Sequence, residues 1–255
     1  SNNYVAWCWK AGGSASSNSD GDITSSVSVN TTAGFSIVSY TGNGSATQTI
    51  GHGLGAVPKM MIFKRRNSSS DWIVYHNKLA ATNYISLNLT GATSAYEPYF
   101  ANTEPTSSVF TVDTAGDING SSDTFIAYLF SEIKGYSKFG SYTGNGNTDG
   151  TFVYTGFKPA FVMIKRSSST GNWYIADNKR DTFNVVSKAL FPNAFSAEGD
   201  LASNTPLDFT SNGFKLRNSN MTGDTNINLS GSTYIFMAFA ESPFVNSNGI
   251  ANNAR

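Results

Sequence analysis

The chain has 255 residues, of which 13% are charged, and its 17 basic and 17 acidic side chains leave a formal charge of +0 and a pI near 6.7. That balance removes the basic footprint of a nucleic-acid or membrane-surface binder, and a single cysteine excludes an internal disulfide. No apolar run is long enough to cross a bilayer as a helix. Ser, Thr and Asn carry most of the polarity, so composition points to a β-rich chain without membrane insertion, a nucleic-acid partner or catalytic activity.

In chain order, Tyr4-Val5-Ala6-Trp7-Cys8-Trp9 has the aromatic and aliphatic character of a strand. It is expected to be the closing strand of a missing preceding unit, joined by a Ser/Asn/Gly-rich linker to residue 33, in a fragment of a longer polypeptide. Ser39-Tyr40-Thr41-Gly42-Asn43-Gly44 then recurs letter for letter as Ser141-Tyr142-Thr143-Gly144-Asn145-Gly146. Pro58 followed by Met60-Met61-Ile62-Phe63-Lys64-Arg65 is answered by Pro159 followed by Phe161-Val162-Met163-Ile164-Lys165-Arg166, and Trp72 through Asn77-Lys78 by Trp173 through Asn178-Lys179. Each copy closes on an apolar strand, Phe125 to Phe130 before Glu132 and Tyr234 to Phe239 before Glu241. Several matches in one order define an internal duplication.

Period-two alternation in Phe35 to Tyr40 and Tyr84 to Leu89 predicts half-buried strands, whereas the closing strands are apolar at consecutive positions, as strands covered on both faces are. The fold class is therefore all-β: two tandem antiparallel β-sandwich repeats, jelly-roll-like, over 34–135 and 136–245, with a C-terminal tail over 246–255. One short helix is expected in the second repeat, from the spacing of Phe183, Val186, Ala189 and Leu190 before Pro192. One shared sandwich and two separate ones remain open at this point.

Candidate chemistry is sparse. His52 and His76 do not recur between the copies, and neither has a Ser or Cys partner nearby in sequence. Cys8, in an apolar stretch, reads as a small buried hydrophobe. Asp20 and Asp22 on one loop, and Asn145, Asn147 and Asp149 on another, bunch oxygen donors as calcium loops do, and calcium is the one cofactor to consider. Trp72, Tyr75, Trp173 and Tyr174 are the candidates for stacking on sugars, although Trp72 and Trp173 at matching places also suit core packing. Lys64-Arg65-Arg66 and Lys165-Arg166 end strands and read as a solvated basic rim.

The segments from Tyr4 to Gly12, Gly34 to Gly44, Gly51-His52-Gly53-Leu54-Gly55 with Pro58, and Asp71-Trp72 to His76, with Gly156-Phe157-Lys158-Pro159 and Asn212 to Arg217 in the second copy, together resemble an uncharacterised domain of tailed-phage virion proteins, especially of marine and cyanobacterial phages. The resemblance extends to Ala254-Arg255, which implies a natural C-terminus. It implies a place in the C-terminal part of tail-fibre-like or other surface proteins, on the virion exterior. It brings no catalytic residues. The expected function is a structural and adhesive virion protein, a tail fibre, spike or capsid decoration, that partners other virion proteins, forms a homo-oligomer and binds a host-surface glycan. The alternatives are a carbohydrate-binding module of a secreted protein and, on scattered carboxylates alone, a polysaccharide depolymerase.

Overall fold

The computed structural model describes residues 4–201, 204, 206–217 and 223–241. The expected C-terminal tail over 246–255 lies outside the described residues.

The first repeat is built on an eight-stranded sheet in the order β1 (Ser16–Asn18), β2 (Ser25–Asn30), β3 (Phe35–Thr41), β10 (Thr124–Ser131), β5 (Pro58–Arg65), β6 (Ile73–His76), β7 (Asn83–Ser86) and β8 (Ser94–Ala95). A two-stranded sheet of β4 (Gln48–Gly51) and β9 (Val109–Val112) accompanies it. The second repeat has a four-stranded sheet, β11 (Ser137–Thr143), β19 (Thr233–Ala240), β13 (Pro159–Arg166) and β14 (Trp173–Asp177). Its companion sheet is β12 (Phe152–Tyr154), β18 (Gly213–Leu216) and β17 (Leu207–Thr210), with a small ladder of β15 (Lys188–Ala189) and β16 (Gly199–Asp200). The order β3-β10-β5-β6 reappears as β11-β19-β13-β14, and the pair β4-β9 as β12-β18. All pairings between these strands are antiparallel.

Side-chain alternation explains the continuous apolar strands. Along β19, Tyr234, Phe236 and Ala238 enter the core of the second sandwich, while Ile235, Met237 and Phe239 enter a different cluster. That second cluster also takes Phe35, Met60, Ile62, Val74 and Phe130 from the first repeat. The two large sheets are thus packed back to back, and the molecule is one body of four β layers with an apolar seam at its middle. Rings crowd the seam: Phe130 to Phe239 are 5.9 Å apart and Phe139 to Phe239 6.0 Å. Polar links cross it too. Trp173 Nε1 donates to the Ser86 carbonyl at 2.8 Å, and Lys165 Nζ to the Thr90 carbonyl at 2.9 Å.

The repeated hexapeptide is a clamp. Tyr40 Oη donates to the Ile118 carbonyl and Tyr142 Oη to the Ile227 carbonyl, both at 2.7 Å. Asn43 N–H meets Asn119 Oδ1, and Asn145 N–H meets Asn228 Oδ1, both at 3.1 Å. Glycine is required where a Cβ on Gly42 or Gly144 would lie 2.5 Å from a carbonyl oxygen, of Gly120 or Leu229 respectively.

Four expectations are corrected. Tyr4 to Trp9 carries no strand; it runs across the end of the seam, with Trp9 5.8 Å from Phe130 and 5.4 Å from Phe239. Its apolar character reports half-buried indoles packed on the seam, not a ladder partner, and Cys8 within it is exposed instead of buried. The expected linker holds β1 and β2, which extend the first sheet because alternating Val27 and Val29 pack against its core. The expected helix is absent: Val186 bridges Leu207, Leu190 bridges Ile175, and β15 lies between. The one α-helix among the described residues, α1 (Gly116–Asn119), belongs to the first repeat.

Candidate functional site

Most residues with chemical potential are held inside the fold. Trp173, Tyr75 and Tyr174 are each 1% exposed, which leaves no ring face for a sugar. Tyr75 Oη donates to the Glu104 carboxylate, and burial, then that hydrogen bond, push its hydroxyl far above the ordinary tyrosine range. The basic rim at Lys165 and Arg166 is likewise corrected: Lys165 is fully buried, with Nζ also donating to the Gly171 carbonyl at 2.7 Å, and Arg166 donates to the Thr170 carbonyl. His52 is buried, with Nδ1 accepting the Leu54 N–H at 3.2 Å. His76 Nδ1 accepts the Lys78 N–H at 3.1 Å, and its Nε2 meets the Phe236 carbonyl at 3.2 Å. Desolvation lowers both imidazoles, His76 to about 4, so they are neutral parts of the structure.

The proposed calcium loops do not fit the ion. Asp22 Oδ2 accepts both the Thr49 hydroxyl at 2.7 Å and the Thr49 N–H at 3.0 Å, and the hydroxyl contact holds its carboxyl below the usual range. Asp20 Oδ2 accepts Asn18 Nδ2 at 2.9 Å. On the other loop, Asn145 Oδ1 accepts the Asn147 N–H, Asn147 Oδ1 accepts the Asp149 N–H, and Asp149 pairs with Lys215 at 2.6 Å. These oxygens tie turns together, and among the described residues no three His, Cys, Asp or Glu side chains converge as metal ligands do.

The cavity beneath Tyr4 to Trp9, about 570 Å³, holds two carboxylates, Asp177 and Glu241. Burial pushes the Asp177 carboxyl up, but Arg180 at 2.7 Å more than offsets this and holds it low. Lys179 holds Glu241 low. Neither is prepared as the raised-pKa general acid that glycoside hydrolysis needs.

One open face remains. Strand register places Ser28, Ile37, Tyr128, Ile62 and Val74 in one row across β2, β3, β10, β5 and β6. The next row, two residues along, runs Ser26, Ser39, Ile126 and Lys64. The second repeat covers only part of this face, so Ile37, Tyr128, Trp72 and Leu87 are half-buried and line an apolar groove of about 300 Å³. Beyond it lies a hydroxyl-lined concavity of about 400 Å³ with Ser26, Ser39, Thr41, Thr124 and Arg66. Trp72 Nε1 and Tyr128 Oη make no hydrogen bond among the described residues, and Lys64 Nζ stands 6.0 Å from the Trp72 ring. Of the four stacking candidates only Trp72 keeps a ring face. Tyr128, its neighbour in the groove, was not legible as a site residue because a closing strand reads as core throughout.

These features define a tandem-repeat all-β protein with small surface grooves. The chain belongs to the family described as a domain of unknown function (DUF7483), which matches residues 1–243. No curated protein and no solved structure matches it.

Proposed function

We propose that this chain is a structural and adhesive protein of a tailed-virus particle, displayed on the exterior as part of a tail fibre, spike or capsid decoration and working by assembly and host-surface binding. The observation that carries the reading is the back-to-back seam, which makes two sandwiches one rigid body while their reactive side chains are used within the fold. Such a body needs no disulfide, and its core contacts are apolar packing that salt does not screen. The resemblance of its motifs to phage surface domains supports the location. Immunogold labelling of intact particles of the encoding virus, with antibody raised to this chain, is expected to decorate the exterior; unlabelled particles that release the antigen only on disruption would overturn the reading.

A second reading, a carbohydrate-binding module, is favoured by the Trp72–Tyr128 groove beside its hydroxyl-lined concavity. Trp72→Ala is expected to abolish glycan-array signal while leaving the fold intact. Retention of that signal would remove the groove as a sugar site.

A further inference from the structure

The repeats carry the same three residues at the same end of their large sheets: Asn77, Lys78 and Glu132 in the first, Asn178, Lys179 and Glu241 in the second. In the second repeat they close on one another. Asn178 Nδ2 donates to Glu241 Oε2 at 3.2 Å, and Lys179 Nζ pairs with Glu241 Oε1. In the first, the carboxylate is engaged elsewhere: Glu132 Oε1 holds Lys138 Nζ at 2.8 Å, and Oε2 accepts the Phe139 N–H at 3.4 Å. Chain continuity is the cause, because Glu132 runs directly into β11, which brings Lys138 and Phe139 to it.

Asn77 and Lys78 are left without their carboxylate. Asn77 Nδ2, the donor that matches Asn178 Nδ2, makes no hydrogen bond and Lys78 makes no ion pair among the described residues. Lys59, at the position of Ala160, adds a second cation that is likewise unpaired. These residues line a cavity of about 510 Å³ together with Glu132, whose charge Lys138 neutralises, and its other wall includes Ser141, Phe152 and Tyr154. The two rings are 45% and 61% exposed. Their counterparts in the first repeat, Thr49 and Gly51, are covered by the N-terminal segment, where Thr49 binds Asp22 and the Gly51 carbonyl accepts Ser25 Oγ at 2.8 Å.

We propose that this cavity binds the carboxylate of an acidic saccharide. Lys78 Nζ and Asn77 Nδ2 take the carboxylate as their twins take that of Glu241, Lys59 adds attraction, and Tyr154 and Phe152 present faces to the apolar side of the sugar ring. Exposed rings beside a hydroxyl and lysines favour a sugar acid over an acidic peptide, which has no comparable apolar ring face. The inference names the ligand class for the host-surface binding of the preceding section and rests on that reading.

The test is an NMR titration of the full chain with uronate trisaccharides (galacturonate, glucuronate and mannuronate), their methyl esters, and triglutamate. At least one uronate is expected to shift the Asn77 and Lys78 resonances, with its ester at least tenfold weaker. Lys78→Met is expected to weaken binding at least tenfold, Tyr154→Ala to weaken it as well, and Lys179→Met to leave it unchanged. No shift with any uronate, equal binding of acid and ester, or unaltered binding by Lys78→Met would overturn the inference, and triglutamate binding as tight as the best uronate would assign the cavity to an acidic peptide instead. Labelled particles with a silent titration would sink the cavity alone; a positive titration with unlabelled particles would sink the virion reading and leave the site.

Discussion

Trp72 and Trp173 occupy the same place in their repeats, yet one is half-buried on an open groove and the other is sealed in the seam with its indole N–H on the Ser86 carbonyl. The difference comes from what lies above each ring. The four-stranded sheet covers only part of the wider eight-stranded one, so equivalent positions meet different surroundings. The same holds for Asn77-Lys78 and Asn178-Lys179, where identical residues differ in whether a carboxylate reaches them. Duplication fixes the scaffold, and the packing of one copy on the other decides which positions stay free to bind.

The largest expected contrast is at the tryptophans. Trp173→Ala should cost about 3–5 kcal/mol, because it opens a cavity in the seam and removes the hydrogen bond to the Ser86 carbonyl, whereas Trp72→Ala should cost about 1–2 kcal/mol. Urea midpoints at constant m-value measure both, and equal losses would break the comparison.

His76 and Asp177, matching residues of opposite charge type, should respond to acid in different windows. The His76 imidazole is lowered from its ordinary 6.5 to about 4, so the unfolded chain takes up a proton before the folded chain does. Stability is therefore full above pH 6.5 and falls as pH drops towards 4, by an amount on the order of 3 kcal/mol, then levels for this group. Asp177 is held below its ordinary 3.8, so its contribution is lost only below that value. Urea midpoints between pH 7 and 4 should decline in the native chain and decline less steeply in His76→Gln, where the lowered His52 still contributes; an unchanged slope in the variant would rule out this assignment.

The clamp tyrosines should behave alike. Tyr40→Phe and Tyr142→Phe each leave one buried carbonyl unpaired, of Ile118 or Ile227, and should each cost about 1–2 kcal/mol. A clear inequality would show that the two clamps are not equivalent.

The duplication was legible because tight turns constrain sequence. The first glycine of Tyr-Thr-Gly-Asn-Gly lies against a carbonyl, the second holds a positive φ, and the Tyr and Asn bind the far loop, so few substitutions preserve the geometry. The doubly covered closing strands were legible for a similar reason, since alternate side chains of β19 enter two different cores. Tyr4 to Trp9 misled because its hydrophobicity reports that the indoles pack, half-buried, on the seam and not that the backbone pairs. Phe183 to Leu190 misled because three spacings of helical period are too few to outweigh bridges to distant strands such as Val186 to Leu207. Of the stacking residues, the pattern could not separate Trp72 from Trp173, and the cleft at Asn77 and Lys78 is invisible in a sequence that repeats the same residues at both sites.

The most direct measurement is hydrogen exchange across the full chain, native and Trp173→Ala, with β5 and β10 followed alongside β13 and β19. One body joined by a shared seam predicts that the variant loses protection in all four strands together. Loss confined to β13 and β19, with β5 and β10 still protected, would mean two sandwiches that stand independently and would contradict it.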